Sequence, residues 1–194
     1  MSNTKEVLRD REKALENQYF AKEEQRLLEK IREQRAHLAE KQALADATGL
    51  TDDVLLQKLV DLGIETSTWA ALLLVPLVEV AWADAGSGSL DDREVLAVLA
   101  AAEAQGARKG EPGHELIERW LEKRPDPGLL EAWGEYIVTL CADLTPTERR
   151  ALRDEILGRV LKVAEAAGGL LGTFGKVSSE EKRMIAELEK AFAG

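Results

Sequence analysis

Residues 125–148 read PDPGLLEAWGEYIVTLCADLTPTE, and this stretch decides the fold class. Its apolar residues recur every three or four positions, the spacing that places them on one face of an α-helix. They are Leu130, Trp133, Ile137, Leu140, Cys141 and Leu144. Pro125 and Pro127 break any helix before it, and Thr145 with Glu148 forms a capping box for the next helix. The stretch therefore predicts an amphipathic helix with a defined start and end.

Helical spacing continues through residues 49–194, and no segment shows the apolar–polar alternation that is typical of a strand. The predicted fold class is all-α, a compact bundle of about seven helices. We expect Thr51 to cap its first short helix and Pro76 to kink the apolar helix around it. We also expect Leu96 and Leu161 to face the core.

Residues 1–48 differ in composition from the rest of the chain. They lack proline and glycine and are rich in Glu, Lys, Arg, Leu, Gln and Ala, which are strong helix formers. Residues 1–46 hold ten basic and ten acidic residues, whereas residues 47–194 hold 16 basic and 26 acidic ones. We therefore predict two domains: a long charged N-terminal helix over 1–48, able to form a coiled coil and ended by Gly49, and a helical body over 49–194.

The composition excludes several classes of function. A net charge of −10 argues against a nucleic-acid-binding protein, which normally presents a basic face. One cysteine, Cys141, cannot form a disulfide framework or a multi-cysteine metal site. Cys141 lies on an apolar helical face, so we expect a buried core thiol.

We expect neither a targeting segment nor membrane insertion. The N-terminus reads MSNTKEVLRDREKALE and lacks the apolar core of a secretory signal. The most apolar stretch, Trp69–Trp82, is interrupted by Pro76 and Glu79 and is shorter than the roughly 20 residues that a bilayer requires. Together with a single cysteine, this pattern predicts a cytoplasmic protein.

An acidic, glycine-rich loop is the first candidate site. Asp84, Asp91, Asp92 and Glu94 lie close together in the sequence and could gather around a weakly bound divalent cation, although their spacing does not fit an EF-hand. The alternative is that Asp91 and Glu94 only form a capping box for the next helix. No other cofactor is expected.

The remaining candidates for chemistry do not form a catalytic motif. Residues 168–179, GGLLGTFGKVSS, lack the spacing of a phosphate-binding loop. Glu79 and Glu165 could act as paired carboxylates, but a glutamate that faces solvent or pairs with Arg or Lys is the more common outcome. His37 and His114 have no Ser, Cys or Asp partner in a recognisable motif. The sequence therefore predicts a protein that is not an enzyme.

Residues 73–99, LLVPLVEVAWADAGSGSLDDREVLAVL, resemble the helix–acidic loop–helix unit of tellurite-resistance TerB-like domains. Residues 164–192, AEAAGGLLGTFGKVSSEEKRMIAELEKAF, look like the second such unit. The resemblance spans residues 66–192. It implies a compact helical bundle with two related halves, divalent-metal binding by acidic residues that include Asp84, Asp91 and Glu94, and a link to stress response or cation sensing.

Residues 9–34, RDREKALENQYFAKEEQRLLEKIREQ, are similar to the helical inhibitory segment of the ATPase inhibitor family. That resemblance implies a helix that docks on a protein partner, in that family a rotary ATPase. The partner-binding residues would be Glu16, Tyr19, Phe20, Glu23, Glu24, Leu27 and Ile31.

The predicted function is that of a non-enzymatic regulatory or adaptor protein. Its N-terminal helix would engage a protein partner, with pairing to a second copy of the chain as another outcome, because a helix that is polar on most sides is not held by its own core. The alternative is an ATPase inhibitor-like protein that acts through residues 9–34. Neither hypothesis involves nucleic acid.

Overall fold

The computed structural model describes residues 2–83, 85, 88–167 and 177–193, with side chains from Gln18 onward except those of residues 20, 21 and 167. Within these ranges the chain forms helices and no strand, which confirms the predicted all-α class. The α-helices are α1 Ser2–Thr48, α2 Asp53–Asp61, α3 Val75–Ala81, α4 Asp92–Ala104, α5 Pro112–Glu122, α6 Gly128–Ala142, α7 Pro146–Ala167 and α8 Ser179–Lys190. A 3-10 helix, Trp69–Leu74, precedes α3.

The chain divides into two compact units, Met1–Ala43 and Leu44–Gly194. The first unit belongs to the single long helix α1, which ends at Thr48 because Gly49 adopts a φ of +73° that favours glycine. Leu44 is fully buried in the core of the second unit. The last turn of α1 is therefore part of the body, whereas our sequence boundary placed it with the N-terminal helix.

The first helix of the body starts one residue later than we predicted. Asp52, rather than Thr51, is the cap of α2, and its carboxylate accepts hydrogen bonds from the backbone N–H groups of Val54 and Leu55 at 2.9 and 3.0 Å. A side-chain acceptor satisfies these groups only from the position directly before the first helical residue. The prediction for Thr51 was wrong because two residues of capping type, Thr51 and Asp52, precede the helix, and a third, Asp53, is its first residue.

Replacing Asp52 with alanine should therefore destabilise the protein by about 1 kcal/mol, because two N–H groups of α2 lose their acceptor. Urea unfolding of the Asp52→Ala and Thr51→Ala variants measures the difference. Thr51→Ala is the matched control and should change the free energy of unfolding by less than about 0.5 kcal/mol. A larger loss of unfolding free energy for Thr51→Ala than for Asp52→Ala would mean that Thr51 is the cap of α2.

Pro76 does not kink a continuous helix. The apolar stretch is divided into the 3-10 helix Trp69–Leu74 and α3, and Pro76 lies in the first turn of α3. A proline is tolerated there because that backbone position has no intrahelical acceptor to lose. All seven residues of α3 are buried, and α3 contacts the five helices from α4 to α8. It is the central element of the body.

Two of the predicted core positions face solvent. Leu96 on α4 is 66% exposed, and Leu161 on α7 is 40% exposed. The buried side of α4 instead carries Glu94, Val98 and Ala102. These three follow one another at four-residue intervals, so the face that packs against the body is rotated away from Leu96.

The amphipathic helix predicted from residues 125–148 is confirmed as α6. Its buried residues include Trp133 and Ile137, and the ring of Trp133 meets that of Phe192 edge-on, with centroids 6.1 Å apart. Lys58 of α2 reaches across to the carboxylates of Glu131 and Glu135 at 3.3 and 3.0 Å. Packing and ion pairs together hold α6 between α2 and the C-terminal segment.

Candidate functional site

The predicted partner-binding surface lies on α1, which exposes a row of apolar side chains. Among the described residues, nine large hydrophobic side chains are exposed, and five of them lie between positions 19 and 38. At 100° per residue, Leu27, Ile31 and Leu38 fall within an arc of about 40°, and Leu28 widens it to about 100°. We call these four residues the α1 strip. Tyr19 is also exposed but lies outside this arc.

Charged side chains flank the α1 strip. Glu23 forms an ion pair with Arg26 at 3.6 Å, one turn along the helix, and Glu24 is exposed. Exposed pairs of this kind contribute little to stability. The side chains of Glu16 and Phe20, which we also predicted to bind a partner, lie outside the described residues. The described part of the predicted surface is thus an apolar row with the Glu23–Arg26 ion pair on one side and Glu24 within the arc of the row.

The acidic loop shows the capping arrangement that was the alternative to a metal site. Asp91 accepts a hydrogen bond from the N–H of Arg93 at 2.8 Å, and Glu94 accepts one from the N–H of Asp91 at 3.0 Å. Glu94 is buried and Asp92 is exposed. Asp84 lies outside the described residues. Within the part of the chain that is described, no group of three His, Cys, Asp or Glu side chains could hold a metal ion, and the cation site stays a prediction.

Glu79 is a buried carboxylate paired with a cation that the sequence did not reveal. Its side chain is 4% exposed, and Arg124 donates a hydrogen bond to it at 3.2 Å. Burial raises the pKa of Glu79, and the Arg124 guanidinium opposes that rise. Glu165 is exposed on α7. Of the two outcomes we considered for Glu79, the structure shows the pairing with arginine.

The other reactive side chains are held in structural roles. Cys141 is a buried free thiol, as predicted, and burial raises its pKa. His114 is buried, with Nδ1 3.0 Å from the carbonyl oxygen of Ala107 and Nε2 3.4 Å from a carboxylate oxygen of Glu118. The contact with Ala107 ties the start of α5 to the preceding loop, and the contact with Glu118 lies within α5. The glycine-rich residues 168–176 lie outside the described part of the chain.

Comparison with protein-family models, with curated proteins and with solved structures gives no match for this chain. The resemblances to TerB-like domains and to the ATPase inhibitor family therefore stay predictions. In the described residues, no helix combines the length and the apolar character needed to cross a membrane.

Proposed function

We propose that this protein is a non-enzymatic helical adaptor or regulator whose helix α1 binds a protein partner through the α1 strip. The main support is the concentration of exposed apolar side chains on α1. Five of the nine large hydrophobic side chains that are exposed among the described residues lie on this helix. Scattered exposed leucines are ordinary on protein surfaces. Four large apolar side chains within one arc of a helix are typical of a helix that lays its apolar face into a groove of another protein.

The length and charge of α1 support this proposal. The first unit of the chain consists of residues of this one helix, and one helix by itself forms no hydrophobic core. Charged side chains within and beside the α1 strip, such as those of Glu24 and Arg26, keep the helix hydrated until a partner covers the strip. A role for the body in stress response or cation sensing rests on its TerB-like residues. A cytoplasmic location is supported by the free thiol of Cys141.

Replacing three residues of the α1 strip, Leu27, Ile31 and Leu38, with glutamine should abolish partner binding and leave the body folded. Glutamine keeps a high helix propensity, so the substitution removes the apolar surface without breaking α1. We expect the free energy of unfolding of the body, measured with urea, to change by less than about 0.5 kcal/mol. Crosslinking of the full-length protein in native lysate, followed by mass spectrometry, identifies proteins whose capture depends on the strip.

A matched control removes exposed apolar surface from the body. Val54 and Val138 are 76% and 50% exposed on α2 and α6, and their replacement with glutamine should leave capture intact. Equal loss of capture in both variants would contradict a role for α1. Unfolding of the body by the α1 substitutions would show that the strip is packed structure.

Capture from lysate and sedimentation of the same variants distinguish the adaptor from an ATPase inhibitor-like protein and from a helix that pairs with a second copy of the chain. The exposed aromatic ring of Tyr19 favours the ATPase inhibitor-like alternative, which requires rotary ATPase subunits among the proteins that only the intact strip captures. Pairing between two copies requires that the wild-type protein, but not the glutamine variant, sediments as a dimer. The proposal would be contradicted if the protein is a monomer and if no protein, ATPase subunits included, is captured only when the α1 strip is intact.

A further inference from the structure

A groove with a positive rim lies in the acidic body, at the C-terminal end of α5. Its volume is about 580 Å³. Its apolar wall is formed by Leu62, Leu116 and Trp120, and its cations are Arg119, Lys123 and Arg124. We call it the α5 groove. One acidic residue, Asp126, also lines it.

The walls of the α5 groove are fixed by the fold. Helix α5 stops at Glu122, and Lys123 is extended, with φ −141° and ψ 124°. Pro125 interrupts the chain between the two helices, and α6 begins directly after Pro127. Trp82 donates a hydrogen bond from its indole N–H to the carbonyl of Trp120 at 2.9 Å. The groove is therefore built on ordered backbone.

The α5 groove is lined mainly by cations, although the body around it is acidic. Residues 47–194 carry 26 acidic and 16 basic residues, yet three cations and one carboxylate line this groove. Arg124 is engaged by Glu79. Arg119 and Lys123 are exposed and form no ion pair with any described side chain. Arg119 lies in the last turn of α5, where a cation is favoured by the helix dipole, but Lys123 and Arg124 lie beyond the end of that helix.

We propose that the α5 groove binds a small organic anion, in which a carboxylate, phosphate or sulfonate group is attached to an apolar body. The apolar body would pack on Trp120, Leu116 and Leu62, and the anionic group would bind Arg119 and Lys123. The groove is open to solvent, and its volume of about 580 Å³ lies in the range of small-molecule sites. This site shares no residue with the α1 strip, and its failure would leave the proposed function standing.

The probe is 8-anilinonaphthalene-1-sulfonate, an aromatic anion whose fluorescence rises when it leaves water. N-phenyl-1-naphthylamine has the same rings without the sulfonate and serves as the neutral control. We expect saturable binding of the anion to the full-length protein, weakened by added salt because exposed charges are screened. The Arg119→Gln/Lys123→Gln double variant should weaken its affinity about tenfold. The affinity for the neutral analogue should stay the same.

The control variant removes two cations from another cavity. Arg159 and Lys162 line a cavity of about 370 Å³ between α4 and α7, and the Arg159→Gln/Lys162→Gln variant loses the same charge. Its affinity for the anion should match that of the wild type. The proposal is overturned by equal affinity in both variants, by a larger loss in the control, by parallel loss for the neutral analogue, or by the absence of saturable binding below about 1 mM. Unchanged circular dichroism and urea midpoints confirm that both variants fold.

Discussion

Trp133→Ala is expected to destabilise the protein by about 3–5 kcal/mol, the cost of removing a large aromatic side chain from a packed core. Trp133 is 1% exposed, and its ring packs edge-on against Phe192. Alanine leaves a cavity that its neighbours on α6 and the C-terminal segment can only partly fill. The melting temperature should fall by roughly 6–20 °C for a domain of this size. Calorimetry and urea unfolding of the same variant measure both quantities.

Two variants of α6 make this prediction specific. Val138→Ala shortens a side chain that is 50% exposed on the same helix, and it should change the unfolding free energy by less than about 0.5 kcal/mol. Trp133→Phe keeps a ring in the core. The buried indole N–H of Trp133 has no acceptor among the described residues, so phenylalanine should cost clearly less than alanine. A loss below about 1.5 kcal/mol for Trp133→Ala would mean that α6 is not packed as described.

Signals confined to a few neighbouring residues correctly predicted the start of α4 and the end of α1. The capping box of Asp91 and Glu94 is present, and Gly49 ends α1 with a positive φ, because both depend on contacts within one helical turn. The face of α6 was predicted because its apolar residues are large and regularly spaced. The all-α class follows from the same regularity.

Errors arose where tertiary packing decides between local options. On α4, Leu96 is more apolar than Glu94, so the sequence favours the face of Leu96 as the buried one. In the structure the face of Glu94 and Val98 is buried instead, and the buried capping contact of Glu94 fixes that face toward the core. The pairing of Glu79 with Arg124 could not be predicted, because the two residues are 45 positions apart and Arg124 lies outside any helix. The α5 groove brings Leu62 next to residues 116–127, a juxtaposition that no periodicity encodes.

Arg124→Ala should destabilise the protein by about 1–3 kcal/mol at neutral pH, because it leaves the Glu79 carboxylate buried without its cation. Breaking a fully buried pair costs about 3–5 kcal/mol, whereas an exposed pair is worth at most about 1 kcal/mol. Glu79 is 4% exposed and Arg124 is 46% exposed. Water reaches the guanidinium and partly screens it, so the expected cost lies between these limits.

The cost of Arg124→Ala should increase with pH. Burial raises the pKa of Glu79 above its ordinary value of 4.5, and Arg124 lowers it. A carboxyl whose pKa is raised by folding stabilises the folded state fully below its unfolded pKa, and that stability is lost as the pH rises through the folded pKa. Without Arg124 the pKa of Glu79 rises further, so the loss extends to higher pH. Urea unfolding of both proteins at about pH 5 and about pH 7.5 should show the larger difference at the higher pH.

Glu79→Gln isolates the contribution of the charge. Glutamine has nearly the same shape and remains neutral at every pH, so the buried position no longer titrates. In the Glu79→Gln background, Arg124→Ala should cost less than about 1 kcal/mol, with no difference between the two pH values. The coupling between the two substitutions then measures the ion pair itself. An equal, pH-independent cost in both backgrounds would show that Arg124 stabilises the fold through the packing of its hydrocarbon chain and not through the carboxylate of Glu79.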